Sequence, residues 1–431
     1  MHPRWLISAL AAMAMAATPS LAAETAPSTQ APPAVGAPAP APPQDGAVPV
    51  TPEPSTPQEK TAPAKAEPKT EMAQGTPTPA TPPPGQPSAA PEEKQPDPPT
   101  TPKFTYGGQA DFYFSTNFND PFNGLNNGLL NVRAWDIKDE HGPHLGLIDL
   151  WAQHARDPIG FRIDLNFGPT SNIFHAADPT DDEIWRRLQQ LYVSANLDGK
   201  RGRTYVDFGK WVTTAGAEVA EPRDNFLYTR GVLFNIAQPF FHLGIRGYHY
   251  LNDTDYVMAA VHRGYNAVGK TGRPLGFALA GGKKLNDEWT VSANYYGGVE
   301  GATVGAGESY RSLIDLIALY NPTGSKWAYT FNVDYAQQAS SKIGGLSAQA
   351  KYAINPKSYA AFRGEFLLDD DFAGSNVYTV TAGYTYLFSK YFQARAEYRH
   401  DFSNDAVFAN DQVGRFKSNQ GTFLIAAIVG F

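Results

Sequence analysis

Cysteine is absent from the 431 residues of this chain. Without a thiol, the chain has no disulfide framework, no thiolate metal site, no lipid-modified cysteine and no thiol catalysis. It also lacks a G-x-S-x-G nucleophile motif, and its histidines are not spaced to share a strand face with a serine. We therefore predict that the protein is not an enzyme and needs no cofactor.

Long apolar runs are also missing, since no stretch between residues 104 and 431 reaches the roughly 18 residues of a transmembrane helix. Residues 1–23 contain Arg4, an apolar run from Trp5 to about Ala17, and the small residues SLAA. This pattern is typical of a cleaved signal peptide, and the run is too short for the alternative, a retained membrane anchor. We expect an exported protein.

Aromatic residues are absent from residues 24–103, which hold 24 of the chain's 36 prolines. Such a segment cannot bury enough apolar surface to offset the entropy of ordering it, so we predict a disordered, extended periplasmic linker. Two roles are open for this arm. It is either a passive spacer or a tether to peptidoglycan.

An excess of basic charge is lacking, because the formal net charge is -7 and the pI is about 5.7. This balance argues against nucleic acid as a partner. Acidic and histidine-rich stretches at 141–144, 178–183 and 369–371 have two interpretations. They are solvated loop charge, or they bind divalent cations or lipopolysaccharide through hard oxygen ligands. We predict solvated charge and no metal site.

What the chain does contain is a repeated two-residue period. Apolar and polar residues alternate in GFRIDLNFG (160–168), EWTVSANYYG (288–297), KWAYTFNVDYAQ (326–337) and FQARAEYRHD (392–401). This alternation predicts strands that are apolar on one face and polar on the other. A soluble β-sandwich alternates in the same way, so the period alone does not identify a membrane barrel.

The links between strands separate these two classes. Tight, turn-rich links occur near residues 157, 198, 252, 286, 321, 355 and 389, and the links between them are expected to be long. The first, third and fifth links are the long ones at 116–144, 169–186 and 213–240. One rim of short turns and one of long loops is typical of an outer-membrane barrel whose short turns face the periplasm.

We therefore predict an all-β fold, a transmembrane antiparallel β-barrel over residues 104–431 with both termini in the periplasm. Sixteen strands are expected, with fourteen or twelve as the alternatives. Their predicted starts lie near Phe104, Leu145, Gly160, Arg187, Thr204, Phe241, Thr254, Pro274, Glu288, Tyr310, Lys326, Leu346, Ser358, Asn376, Phe392 and Gly421.

The last predicted strand, GTFLIAAIVGF (421–431), ends on Phe431. Its alternate residues from Phe423 to Phe431 form an outward apolar face, and the strand is expected to close the barrel against the first strand. The opposite face, which includes Leu424 and Ile428, is apolar too. A buried closing strand of a soluble domain is therefore the alternative.

Four stretches carry a family resemblance: FRIDLNFGPT, LQQLYVSANL, VDFGKWVTTAGAEVAE and NFLYTRGVLFNIAQPFFHLGIR. With them, the sequence resembles the OmpL-like β-barrel porins of Gram-negative bacteria. The resemblance covers most of residues 104–431 and none of the arm. It implies a pore in the outer membrane, in contact with lipid and lipopolysaccharide. Phe431 then looks like the terminal aromatic signal that the barrel-assembly machinery recognises.

The link at 213–240, called the inner loop below, is too apolar to lie in water. We predict that it packs on the inner barrel wall and narrows the pore, since such a loop is the usual way to constrict a wide lumen. Packing over the outer rim or in a subunit contact is the alternative. The candidate constriction residues are Glu218, Glu221, Arg223, Asp224 and Arg230.

Charged residues on the polar strand faces are candidates for lining the pore. They form salt-bridged ladders, or their arginines face water and give a weak anion preference. The candidates are Arg162, Asp164, Arg246, Arg363, Glu365, Arg395, Glu397 and Arg399. The expected function is passive diffusion of small hydrophilic solutes. The rival is a non-conducting barrel that serves as an envelope anchor or adhesin.

Overall fold

The computed structural model describes residues 104–121, 141–301, 307–370 and 375–431, except for 155, 157, 177, 179, 181, 200, 201 and 413. The predicted signal peptide and arm therefore lie outside the described residues, as does most of the first long loop. The strands are β1 (Phe104–Asn117), β2 (His141–His154), β3 (Ile159–Phe167), β4 (Leu188–Asn196), β5 (Thr204–Val212), β6 (Phe241–Tyr250), β7 (Tyr256–His262), β8 (Gly276–Lys284), β9 (Trp289–Glu300), β10 (Ser309–Tyr320), β11 (Trp327–Gln338), β12 (Ser341–Asn355), β13 (Ser358–Asp370), β14 (Val377–Ser389), β15 (Phe392–Ser403), β16 (Phe408–Ala409), β17 (Phe416–Lys417) and β18 (Asn419–Gly430).

Sixteen of these strands form one closed barrel, which confirms the predicted fold and strand number. Strands β1 to β15 pair antiparallel in chain order, and β18 fills the gap between β15 and β1. Closure leaves no unpaired strand edge, which a sheet in a bilayer requires. Phe431 and Gly108 exchange two backbone hydrogen bonds of 3.0 and 3.3 Å beyond the end of β18. The first and last strands therefore meet at one rim.

The two faces of each strand differ as the period predicts. On β1, Phe112 and Phe114 are half exposed on the outer face, whereas Asp111 and Ser115 are buried on the inner face. Aromatic side chains gather near the tight turns, where Trp327 stacks on the ring of Tyr329 at 5.8 Å. Rings at this level of a barrel suit the bilayer interface. No helix in the described part of the chain has the length and apolar character needed to cross a membrane.

The links depart from the expected alternation in one place. Strands β11 and β12 are joined on the long-loop rim by residues 339 and 340 alone, so the prediction of strictly alternating link lengths is wrong there. The turn is tight enough that Ala339 takes a positive φ of 51°. The start of β12 also lies at Ser341 instead of near Leu346, because Gly344 and Gly345 carry no side chain that would show the period.

The long links contain short elements that periodicity did not predict. Two small helices, α1 (Pro169–Phe174) and α2 (Glu183–Arg187), occupy the link between β3 and β4. The Asp182 side chain caps α2 by accepting a hydrogen bond from the Ile184 amide at 3.1 Å. Strands β16 and β17 form a separate two-stranded hairpin before β18. These elements all lie on the rim opposite the tight turns.

Candidate functional site

The inner loop begins at residue 213 after β5 and returns at residue 240 to β6. Its base is closed by a 2.9 Å hydrogen bond from the Thr213 amide to the Phe240 carbonyl. It contains a 3-10 turn over Pro222–Asp224 and a π-helical turn over Leu233–Ala237. Its contacts reach strands on the far side of the barrel, so the loop crosses the lumen. Four groups of contacts hold it.

Arg363 of β13 makes the first anchor. Its guanidinium lies 2.7 Å from the Glu218 carboxylate of the inner loop and 3.1 Å from Glu365 on its own strand. It also donates to the Thr229 carbonyl and hydroxyl oxygens. All the side chains of this cluster are buried, so the charges are paired where water would not screen them. One guanidinium thus ties both limbs of the loop to the wall.

Strand β15 provides the second anchor, which holds residues 228–230, and the third, which holds the tip of the loop. The Glu397 carboxylate accepts hydrogen bonds from the backbone amides of Tyr228, at 2.7 Å, and Thr229. Arg399 donates to the Arg230 carbonyl at 2.7 Å. Arg395 donates at 2.7 Å to the carbonyl of Pro222, at the tip of the loop. Charge-assisted bonds to backbone groups fix the path of the chain more firmly than side-chain contacts would.

The fourth anchor holds the returning limb against β11. Gln238 donates to the Asn332 side chain at 2.9 Å and to the Asp334 carboxylate at 2.7 Å. Near the base, the Thr214 hydroxyl donates to Asn294 of β9 at 2.8 Å. The apolar residues of this limb, Val232 and Leu233, are buried in the same cluster as wall residues of β6 to β14. This side of the loop is therefore packed against the wall.

The opposite side of the loop lies in an acidic patch, which consists of Asp149 of β2, Asp164 of β3 and the loop residues Glu221 and Asp224. Glu221 accepts a hydrogen bond from Gln189 at 2.7 Å, and its other carboxylate oxygen is buried without a partner. Asp164 is held by Arg162 at 2.6 Å and by Gln190 at 2.5 Å. Burial first, and then the Asp224 and Asp164 carboxylates, raise the pKa of Glu221 to about 7. Burial also raises the pKa of Asp224.

The structure brings most of the predicted site residues together. Glu218, Arg230, Arg363, Glu365, Arg395, Glu397 and Arg399 all belong to the contacts that fix the loop. Arg223 lies at the loop tip and donates to the Lys390 carbonyl at 2.6 Å. Arg246 is elsewhere on the wall, paired with Asp207 at 2.9 Å. Arg162 and Asp164, paired on β3, belong to the acidic patch beside Glu221.

Several contributors could not be found by looking for charge. Thr229, Gln238 and Asn332 hold the loop through neutral side chains, which occur throughout the chain and carry no distinctive spacing. Asp178, in one of the acidic stretches, accepts backbone hydrogen bonds from Val268 and Gly269 at 3.1 and 3.3 Å. Within the described ranges, no cluster of three or more acidic or histidine side chains is arranged to hold a metal ion.

A second buried contact fixes the link between β3 and β4 beside the loop base. The His175 Nδ1 donates to the Ser171 carbonyl at 2.9 Å, so its Nε2 is left to accept from the Lys210 ammonium at 2.8 Å. Lys210 also donates to the Trp185 carbonyl at 2.9 Å. Its ammonium lies 4.1 Å from the centre of the Phe241 ring. This latch connects α1 and α2 to the barrel wall.

The latch is expected to open in acid. Burial and the neighbouring Lys210 ammonium hold the pKa of His175 well below its usual value, with smaller effects of Arg187 and Arg186 in the same direction. The released segment binds the proton more readily, so the latch is fully stable above about pH 6.5 and weakens as the pH falls below it. Hydrogen exchange of amides 171–187, corrected for intrinsic rates, should show less protection at roughly pH 5.5 than at neutral pH.

Two variants control this measurement. Lys210→Met removes the donor and should lower protection at both pH values. His175→Asn keeps an acceptor that does not titrate and should make protection independent of pH. Equal protection of the native protein at the two pH values would contradict the latch.

No curated protein matches the sequence. The anion-selective porin of Comamonas acidovorans is similar in structure, with a TM-score of 0.53 and 12% identity over 77% of this chain and 100% of that chain. The outer membrane channel DcaP of Acinetobacter baumannii gives 0.51 and 12% over 77% and 97%, and OmpT of Vibrio cholerae gives 0.50 and 13% over 77% and 100%. Identities this low show a shared fold alone.

The family is shown by a more direct match. Residues 103–431, the barrel and little else, match the family described as "Putative beta-barrel porin-2, OmpL-like". The match covers well over half of the chain, and the resemblance carried by the four sequence stretches agrees with it. The chain belongs to this family of OmpL-like β-barrel porins.

Proposed function

We propose that the barrel is a water-filled pore for the passive diffusion of small hydrophilic solutes, and that the inner loop forms its narrowest part. The observation that carries the proposal is the path of the loop, which is held to β13 and β15 by Glu218 and the backbone of residues 222–232. A sixteen-stranded barrel is wide enough to leave an aqueous channel, so a loop fixed across it determines what passes. The carboxyls of Glu221 and Asp164, buried between the loop and the wall, then act on passing ions through their electric field.

The proposed setting is the outer membrane of a Gram-negative cell. The first barrel strand begins and the last one ends at the rim that carries the tight turns, where Phe431 pairs with Gly108. In barrels of this type that rim faces the periplasm, so the proline-rich arm stays on the peptidoglycan side. Phe431 is 64% exposed on the outer face, where the assembly machinery could bind it. Outer-membrane lipid, including lipopolysaccharide, surrounds the apolar belt.

Planar-bilayer recording of the purified protein tests the function. We expect the current to rise in steps as single proteins insert, and each step to be proportional to the applied voltage. A protein that inserts, as judged by heat-modifiable migration in gels, but never conducts would favour the rival role of an envelope anchor or adhesin.

The ion preference of the pore is expected to change with pH through Glu221. Because its pKa is about 7, this carboxyl is mostly neutral at pH 6 and mostly ionised at pH 8. The preference for potassium over chloride should therefore rise between these values. Reversal potentials in a KCl gradient measure it, and the change should be larger at low salt, where screening is weak.

Substitutions separate Glu221 from the other carboxyls. Glu221→Gln should remove most of the pH dependence, and Glu221→Lys should shift the pore toward anions. Glu218 is the wrong choice for this test, because its carboxylate is paired with Arg363 and its loss disturbs the loop itself. A Glu221→Gln pore with an unchanged pH profile would exclude Glu221 as the titrating group.

A further inference from the structure

A second charged cluster lies on the inner wall away from the loop anchors. Arg246 of β6 is 3% exposed on the inner face, while its neighbour Ile245 is 47% exposed on the outer face. The Arg246 Nε donates to the Asp207 carboxylate of the adjacent strand β5 at 2.9 Å. Arg156, in the turn between β2 and β3, approaches the same carboxylate oxygen at 3.5 Å. Two guanidiniums thus share one carboxylate.

The remaining capacity of that carboxylate is already used. Its other oxygen accepts a short hydrogen bond from the Ser194 hydroxyl, which in turn accepts from Arg156 at 3.3 Å. Within the described part of the chain, the ion pairs of Arg156 and Arg246 all go to Asp207. The cluster therefore carries a net charge of about +1 at neutral pH, since arginine stays protonated.

One donor of this cluster has no partner. The Nη1 of Arg246 is buried and makes no hydrogen bond. A buried donor of a charged group that is left unsatisfied is costly, and native proteins satisfy nearly all such groups. In a cluster of net positive charge, the oxygen of an anionic ligand would satisfy this donor.

Aromatic rings hold the guanidinium in position. The Arg246 guanidinium carbon lies 5.0 Å from the Tyr192 ring centre, and 5.2 Å from those of Trp211 and Tyr248. Such stacking stabilises the cation and fixes its plane, so a ligand that pairs with Nη1 does not have to order the side chain. Arg156 is less enclosed, with 29% of its side chain exposed, so solvent reaches the cluster there.

We propose that Arg246, together with Arg156, forms a binding subsite for small oxyanionic solutes, carboxylates or phosphates, on the inner wall of the barrel. The guanidinium fork matches the geometry of both anions, and chloride cannot use it in the same way. If the barrel is the proposed pore, small oxyanions are one class of solute that it transports. The role of the subsite in transport therefore rests on the proposed function. Binding itself does not depend on conduction.

The test measures binding and conduction separately. Isothermal titration of the full-length protein in detergent, with succinate and with inorganic phosphate as the probes, should show one saturable site. Planar-bilayer recording in KCl should show that the same anions reduce the chloride current at concentrations that match the binding. Comparing the two probes distinguishes carboxylate from phosphate preference. Saturable binding without conduction would leave the subsite intact and contradict the proposed function.

Substitutions identify the residue. Arg246→Gln should weaken binding at least roughly tenfold, while Arg246→Lys, which keeps the charge without the fork, should lose less. Arg162→Gln is the matched control, because Arg162 also faces inward and pairs with an aspartate, but it makes two bonds to Asp164 and one to Gln153. Its removal should leave anion binding unchanged.

A fourth variant gives a result that mere loss of structure cannot. Asp207→Asn removes the competing carboxylate. The barrel of this variant should be less stable than the native protein in anion-free buffer, and it should regain stability when succinate or phosphate is added. Unchanged affinity in Arg246→Gln, an equal loss in Arg162→Gln, or no saturable binding by the native protein would each overturn the proposal.

Discussion

Deleting residues 217–230 is expected to raise the single-channel conductance several-fold, because the deletion removes the part of the inner loop that crosses the lumen. The removed segment contains Glu218 and the backbone that Glu397, Arg399 and Arg395 hold. Without it, the pore is limited by the barrel wall, which is wide in a sixteen-stranded barrel. Planar-bilayer recording of single insertions measures the change.

A replacement of equal length controls for the loss of chain. A Gly/Ser segment in place of residues 217–230 keeps the length of the loop but loses the anchors to Arg363 and to β15, so its current should be noisy and lie between those of the native and deleted proteins. Heat-modifiable migration should remain, since the barrel pairing does not include the loop. An unchanged conductance after the deletion would show that the narrowest point lies elsewhere.

Replacing Arg363 by Met is expected to have the largest effect on the stability of the docked loop. It leaves the buried carboxylates of Glu218 and Glu365 without their shared cation. Breaking a buried ion pair in this way costs about 3–5 kcal/mol. Frequent current fluctuations should appear, together with faster protease cleavage within the loop.

The companion variants separate charge from shape. Arg363→Lys retains the charge and should keep much of the docking, while Glu218→Gln combined with Arg363→Met removes one of the stranded charges and should recover part of the loss. Their double-mutant cycle gives the coupling between the two residues. A quiet, native-like current in Arg363→Met would contradict the role assigned to this anchor.

Most of the fold could be predicted from the sequence because each strand's pattern depends on its own neighbouring residues. Each strand records its two environments in the period of its own residues, and nearly all predicted starts lie close to those observed, as at Thr204, Phe241 and Phe392. The predicted start of β12 was wrong because Gly344 and Gly345 have no side chains to show an alternation of apolar and polar residues. Turns as tight as the one at Ala339 also escape a rule based on link length.

The site was readable only in part because its contacts are not local. The sequence indicated which loop is apolar enough to enter the barrel, and it singled out Glu218 and Arg363 as charged. It did not indicate that these two residues, 145 positions apart, pair with each other. That contact depends on how far the loop reaches across the lumen. The alternation of apolar and polar residues along the strands gives no information on this distance.

The sequence distance of these contacts has a consequence for assembly. The inner loop is anchored by Arg363, Glu397 and Arg399, which follow it by about 145 to 169 residues. These contacts of Glu218, Tyr228 and Arg230 cannot form while only the first half of the barrel is present, and contacts this remote in the chain form late. Docking of the loop must follow the pairing of β13 to β15. Barrels captured before that step should be leaky, protease-sensitive within residues 213–240, and bound by periplasmic chaperones at that segment.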